Sequence, residues 1–280
     1  MTNVKNSSCE SSVSKFAIGV SDFSTSEPLL NAEQIVASGM DFIEPGLAKI
    51  AAMNETDFAA AQSRLMQGNI TVRSVNWFLP GELKVVGPQV DREKSRRFLE
   101  HALARAIKLG AGVVVFGSPG SRTIPSGFSD SEARKQIVAF CRLCSQVIIE
   151  NNWPIKIAVE HVNHTETNCI NTFAQALSIV REVDRPEIGL AADFYHFAIE
   201  NESLDIMLDA GDLICAVQLA DPSNRCFPKP KNRIQGLSEF FKNLVTIGYK
   251  GGVSVEANVG EDLEADCRSA ASYLKTILQR

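Results

Sequence analysis

The sequence predicts a single α/β domain folded as a (β/α)8 barrel of parallel strands. Three observations carry that expectation. Eight short apolar runs alternate with eight longer amphipathic ones along the 280 residues. The short runs are rich in Val, Ile and Ala without polar alternation, as strands buried on both faces of a parallel sheet require. Several of them stop abruptly at a carboxylate or an amide, which is how a barrel presents chemistry at the C-terminal ends of its strands.

A polar, Ser-rich tail runs to about Ser14, and the barrel is expected over residues 15–280. The first two strands are expected at Phe16–Val20 and Phe42–Glu44, with a helix near 30–38 between them. A helix over 55–68 leads to a third strand at Thr71–Asn76. Asp91 caps a helix over 91–109, and Leu109-Gly110 ends it before the fourth strand, Val113–Gly117. A long helix over 130–150 precedes the fifth strand, Ile155–Glu160. A helix over 170–183 precedes Ile188–Asp193. A short helix over 202–209, begun by Ser203 and Asp205 and stopped by Gly211, precedes Ile214–Ala220. The last unit is a helix over 236–247, a strand at Val253–Glu256 and a helix over 261–279. Gly39, Gly68, Gly110, Gly211 and Gly248 stand shortly before strands, where αβ loops need a left-handed residue. A doubly wound sheet is the competing topology. Eight regular units, and no Gly-rich phosphate turn after the first strand, count against it.

Composition narrows the function. A net charge of −5 argues against a nucleic-acid partner, which needs a basic face. No apolar run reaches the roughly 18 residues of a spanning helix, so no membrane partner is expected. Residues 1–15 lack the apolar core of a secretory signal. The seven cysteines show no disulfide-like spacing, and reduced thiols fit a cytoplasmic protein. Cys141 and Cys144 form a C-x-x-C inside an amphipathic run, where they read as one helix face. Phe128, Phe140, Phe173, Phe240 and Phe241 recur at helical spacing and are assigned to packing.

The most informative stretch is Ala158–Asn168, where the apolar run Ile155–Val159 ends in Glu160 and continues through Asn163, His164 and Glu166. Three further runs end at Asp193, at Gln218–Asp221 and at Glu256. Two Glu, one Asp and one Gln converging at strand tips make an oxygen-rich cage, suited to one divalent ion. The bland alternatives are rim carboxylates in salt bridges, Asp193 as a helix N-cap and His196 as a packed loop residue. His161 and His164 flank Asn163, and at most one of them is expected to point inward.

These residues resemble the sugar isomerase/epimerase superfamily of xylose isomerase-like TIM barrels, from about Phe16 to Leu274. Glu160-x-x-Asn163-His-x-Glu166 is similar to the family's Glu-x-x-Asn-Arg-x-Glu signature, and Asp193-x-x-His196 to its Asp-x-x-His. Gly248-Tyr-x-Gly-Gly-Val-Ser-Val-Glu256 resembles the last strand. The resemblance implies a metal-dependent isomerase or epimerase of a small-molecule sugar or sugar phosphate, acting through an enediolate. It implies Glu160 and Glu256 as the acid/base pair and Glu166, His196 and Arg225 as substrate contacts. It implies Glu160, Asp193, Gln218 and Glu256 as metal ligands, and leaves a homo-oligomer open. One departure stands out: the family's ligating His on strand seven is Gln218 here. A Gln oxygen suits harder ions, so Mn²⁺ or Mg²⁺ is expected ahead of Co²⁺ or Zn²⁺. The segment Arg225–Arg233 carries four basic residues. It reads either as a phosphate grip or as a solvated loop. Trp77, Phe78 and Tyr195 are candidates to wall a sugar. An aldose–ketose isomerase, a polyol dehydratase and a non-catalytic sugar-binding barrel are the alternatives. An abasic-site endonuclease on this barrel needs many His ligands, and this chain has four His.

Overall fold

In the computed structural model, which describes residues 16–277, eight parallel strands wrap into a barrel. The strands are β1 Ile18–Ser21, β2 Phe42–Glu44, β3 Ser74–Val75 and β4 Val113–Phe116. They continue as β5 Lys156–Glu160, β6 Ile188–Asp193, β7 Ile214–Leu219 and β8 Val253–Val255. Neighbours follow the order β2-β1-β8-β7-β6-β5-β4-β3. The ring is joined between β2 and β3 by the bridges Ile43–Val72 and Gly46–Asn76. The (β/α)8 expectation is met, and the outward faces of the strands are buried against the surrounding helices.

Alternation along each strand decides what the barrel interior contains. Phe42 closes the floor, and a Cβ on Gly19 or Gly252 would come within 2.6 Å of its ring. Above it Val115, Ala158, Ala191 and Ala216 form a small apolar layer. Ser21, Ser74 and Ser254 gather around Glu44 on the opposite side. Glu160 pairs with Ala191, Asp193 with Gln218, and Gln218 with Ser254. That register puts 160, 193, 218 and 256 on the inward face, staggered toward the mouth.

Strands β2 and β6 match the sequence reading residue for residue. Strand β3 is shorter than Thr71–Asn76, because the β2–β3 seam is made of isolated bridges instead of a ladder. Asp91 caps its helix as expected, its carboxylate accepting the Lys94 N–H at 2.9 Å. Three short helices had no counterpart in the periodicity: Leu47–Ala52, Pro119–Arg122 and Phe194–Glu200. Each follows closely on a strand end and is too short to establish an amphipathic period. The helix expected over 202–209 is limited to Ile206–Ala210, and the one expected from 170 starts at Phe173. Gly68 is not left-handed; the neighbouring Asn69 takes that conformation, with φ of 50°. The tail 1–14 and the last three residues, 278–280, lie outside the described residues.

Cys141 and Cys144 lie buried in the helix Asp130–Glu150, where burial pushes the Cys141 thiol up to about 12. They are packing residues. Phe140, Phe173, Phe240 and Phe241 are buried in the core, and Phe128 packs against it half-buried. Among the described residues, no helix is long and apolar enough to cross a membrane.

Candidate active site

A cavity of about 240 Å³ opens at the C-terminal mouth of the barrel, walled by Glu160, Glu166, His196, Arg225 and Glu256. Asp193 and Gln218 lie beneath it, fully buried. All seven site residues expected from sequence are therefore at one end of the barrel. A larger groove of about 930 Å³, lined by Asn201, Asp221, Arg233 and Glu239, contains none of them.

Two of the acids meet closely. Glu160 and Asp193 offer carboxylate oxygens, and His196 a ring nitrogen, all within 4.8 Å of one another. Asp193 serves two ends at once. Its Oδ1 caps the helix Phe194–Glu200 by accepting the Tyr195 N–H at 2.8 Å, while Oδ2 faces the His196 Nε2 at 3.5 Å. The N-cap reading and the ligand reading of Asp193 thus concern different oxygens of one carboxylate.

His196 belongs to this group as a donor. Its Nδ1 accepts the Asn163 backbone N–H at 3.2 Å and lies 2.8 Å from the Asn163 side-chain nitrogen. In the neutral ring the proton is then on Nε2, which faces Glu160 Oε1 at 3.6 Å and cannot ligate a metal. Burial, reinforced by His161, holds His196 well below its usual range, so the ring stays neutral.

Glu256 is turned to other partners. Its carboxylate accepts from Arg225 Nη2, from Asn76 Nδ2 at 2.8 Å and from Gln218 Nε2 at 3.2 Å. Arg225 also donates to Glu166 Oε1 at 2.7 Å, and Glu166 accepts from Asn163 Nδ2 at 3.0 Å. The Arg225 guanidinium is sandwiched between Phe23 and Tyr195, 3.9 and 4.5 Å from their ring centroids. Such stacking fixes the plane of the fork. Burial opposes its charge, but Glu256, Asp193 and Glu166 outweigh that and hold Arg225 above its ordinary value.

Electrostatics mark the acids as a coupled set. Burial, then the charges of Glu256 and Asp193, push Glu160 well above the usual carboxylate range. Asp193 is pushed up to about 8 by burial and by Glu256. Four buried oxygens, Asn76 Oδ1, Glu160 Oε1, Asp193 Oδ2 and Gln218 Oε1, have no hydrogen-bond partner among the described residues. Oxygens left this way in a low-dielectric site are costly unless a cation or a proton meets them. The donor set fits a hard divalent ion: oxygens alone, with at least two carboxylates.

The remaining candidates divide between the cavity and its surroundings. His164 is exposed and paired with Glu200, and His161 is buried edge-on against Phe173 and Phe197, so neither enters the cavity. Lys229 pairs with Asp266 at 2.9 Å and Arg233 lines the other groove, so the basic segment does not gather at the mouth. Trp77 lines the cavity with 47% exposure, whereas Phe78 is core. Tyr195 stacks on Arg225. Sequence reasoning passed over Phe23, Asn76 and Glu44. Asn76 was legible as the polar end of the third apolar run. Glu44 closes the second run, as Glu160 closes the fifth, but its run has three residues. Burial raises Glu44, and hydrogen bonds from Ser21 and Ser74 pull it back. Trp77, Ser118 and Arg225 all line the cavity with positive φ, a strain that clusters at functional sites.

Known proteins resemble this chain in sequence and in fold. The ketose 3-epimerase of Arthrobacter globiformis is 35% identical over 104 residues, 37% of this chain and 35% of that protein. A probable ketose 3-epimerase of Synechocystis sp. is 28% identical over 176 residues, 58% of this chain and 57% of that protein. The aligned part thus spans between about a third and little more than half of these relatives. The crystal structure of D-allulose 3-epimerase from Methylomonas sp. in complex with D-allulose superposes with a TM-score of 0.77 at 22% identity. It covers 94% of this chain and 97% of that one, a likeness of fold. The sequence profile of the xylose isomerase-like TIM barrels matches residues 32–277. With the barrel, its inward acids and this match in agreement, the chain belongs to the xylose isomerase-like TIM barrel family.

Proposed function

We propose that this chain is a metal-dependent sugar epimerase that moves a proton at a carbon beside a ketose carbonyl between Glu160 and Glu256. One observation carries the reading: three partnerless buried oxygens, on Glu160, Asp193 and Gln218, sit on the inward faces of strands around a cavity walled by Glu160, Glu166 and Glu256. Glu160, Asp193, Gln218 and Glu256 would hold the ion, with Mn²⁺ or Mg²⁺ favoured by the all-oxygen set. When bound, it supplies electrostatic stabilisation to the negative charge that proton loss leaves on the sugar's oxygens.

The chain's own residues do the rest. Glu160 and Glu256 enter the cavity from β5 and from the end of β8, with β6 and β7 between them. A ketose carbon held between them exposes one face to each. Glu160 takes the proton from one face and Glu256 returns one to the other, which inverts the centre. Nε2–H of His196 donates to a sugar oxygen. Arg225, its plane fixed by Phe23 and Tyr195, orients the sugar's oxygens together with Glu166. Trp77 covers the sugar's apolar face and keeps water from the reacting carbon.

The substrate class is a free ketose. Arg225 is the cation lining this cavity among the described residues, and its two terminal nitrogens already engage Glu166 and Glu256. A phosphate there would meet the carboxylates of Glu160, Glu166 and Glu256 against a single guanidinium. Relatives named ketose 3-epimerase point to the same class. The six cysteines among the described residues are free thiols, which fits an enzyme of the cytoplasm.

The test is a screen of ketoses and ketose phosphates in deuterated water with Mn²⁺, read by NMR. Deuterium at carbon 3 with inversion is the expected result. Label at carbon 1 or 2 would make the chain an aldose–ketose isomerase. Absence of exchange into every sugar, with the ion bound, rejects the proposal.

A further inference from the structure

We propose that Glu44, buried in the barrel interior, is a positioning residue that holds the Gln218 amide with its carbonyl oxygen turned to the metal. The inference rests on the reading of the barrel mouth as a cation site. Glu44 is 1% exposed. Its Oε1 accepts from Ser21 Oγ at 2.6 Å and from Gln218 Nε2 at 2.7 Å. Its Oε2 accepts from Ser254 Oγ at 3.0 Å and from Ser74 Oγ. Four donors fill the four lone-pair positions of an ionised carboxylate.

An amide can present either end, and the neighbours of Gln218 allow one orientation. Its Nε2 has acceptors in Glu44 at 2.7 Å, Glu256 at 3.2 Å and the Ser21 hydroxyl at 3.2 Å. Flipped, the carbonyl oxygen would face two carboxylates. The same three acceptors therefore place Oε1 on the remaining side, where it has no partner among the described residues. Glu44 does not touch the cavity, so it acts through Gln218. Groups that orient a ligand in this way are worth about 10- to 100-fold in metal affinity.

The experiment measures Mn²⁺ binding by calorimetry to the chelator-stripped full chain and to three variants: Gln218→Glu, Glu44→Gln and the double exchange of both. Charge counting alone predicts that Gln218→Glu binds Mn²⁺ more tightly, since it adds a carboxylate. Positioning by Glu44 predicts the opposite, because position 218 would then face Glu44 with no proton to donate. We expect Gln218→Glu to lose about 10- to 100-fold and Glu44→Gln about 10-fold. The double exchange, which restores the hydrogen bond with its ends reversed, should recover most of the loss. A merely structural role for Glu44 would not produce that recovery, and the metal-free melting temperatures check that all three variants fold. Tighter binding by Gln218→Glu, or a double variant no better than the worse single one, overturns the proposal while leaving the metal site intact. A wild-type chain that binds no Mn²⁺ instead overturns the metal reading itself, and the role of Glu44 with it.

Discussion

The two halves of the barrel mouth are built differently. At the tips of β5 to β8, or one residue from them, stand Glu160, Asp193, Gln218 and Glu256, a row of groups able to bear or meet charge. Strands β1 to β4 lead into Phe23, Trp77, Leu79, Gly117 and Pro119, which shape the cavity wall. One half supplies charge and the other supplies space. The two are cut to fit each other: a Cβ on Gly117 would run into Glu160 Oε2. Charge at a strand tip is held by the ladder behind it. The wall instead depends on turns, among them the left-handed Trp77 and Ser118. On this barrel the charged groups are held by the strands, while the opposite loops set the shape of the cavity.

Breaking the charged half should have the largest effect. Glu160→Gln and Glu256→Gln keep side-chain shape and remove the ability to exchange a proton. Each is expected to lower kcat by about 10³-fold with circular dichroism unchanged. A variant that turns over ketose near the wild-type rate would remove that residue from the acid/base pair. Gly117→Ala comes next and tests the seam between the halves. It adds one methyl group on the shape side, yet it should displace the Glu160 carboxylate and lower kcat about 10²-fold. An effect confined to KM would show that Gly117 shapes the wall alone. Trp77→Ala, within the shape half, should raise KM about 5- to 10-fold with kcat nearly unchanged, as expected for loss of roughly 1 kcal/mol of contact. A fall in kcat as large as in Gly117→Ala would erase the distinction between the halves.

The same division explains what the sequence disclosed. The charged half was legible because an apolar run ending in a carboxylate is a local signal, and β5 and β6 end at Glu160 and Asp193 as the runs do. The wall was not, since Phe23 belongs to no periodic element and Trp77 owes its place to a turn. Glu44 was missed because three residues are too few to separate an inward acid from a strand end. The pairing of Arg225 with Glu256 spans 31 residues, and Arg225 itself stands in a turn at positive φ. No spacing rule anticipates such a contact. Gln218 was placed by position, but the way its amide is turned follows from its hydrogen bonds to Glu44 and Glu256, residues that no local pattern connects.

His161 gives the smallest expected effect on activity and sharpens the comparison from below. It follows Glu160 directly, yet its ring is buried behind the charged half against Phe173 and Phe197. Burial, then the charge of Arg122, pushes it from 6.5 down to about 3. The folded chain thus binds fewer protons here than the unfolded chain between those two values. The stability this neutral ring contributes is present above about 6.5 and is lost as pH falls toward 3. His161→Phe replaces the ring by one that suits the same edge-on packing and cannot take a proton. The melting temperature of the variant should therefore fall less steeply with acid than that of the wild type, while turnover at neutral pH is little changed. His196, also held neutral by burial, leaves a residual acid slope in both proteins. Parallel melting curves from pH 7 to 4 would mean that His161 is already neutral for a reason that unfolding does not remove. A loss of turnover at neutral pH would instead show that the charged half extends behind the strand tips.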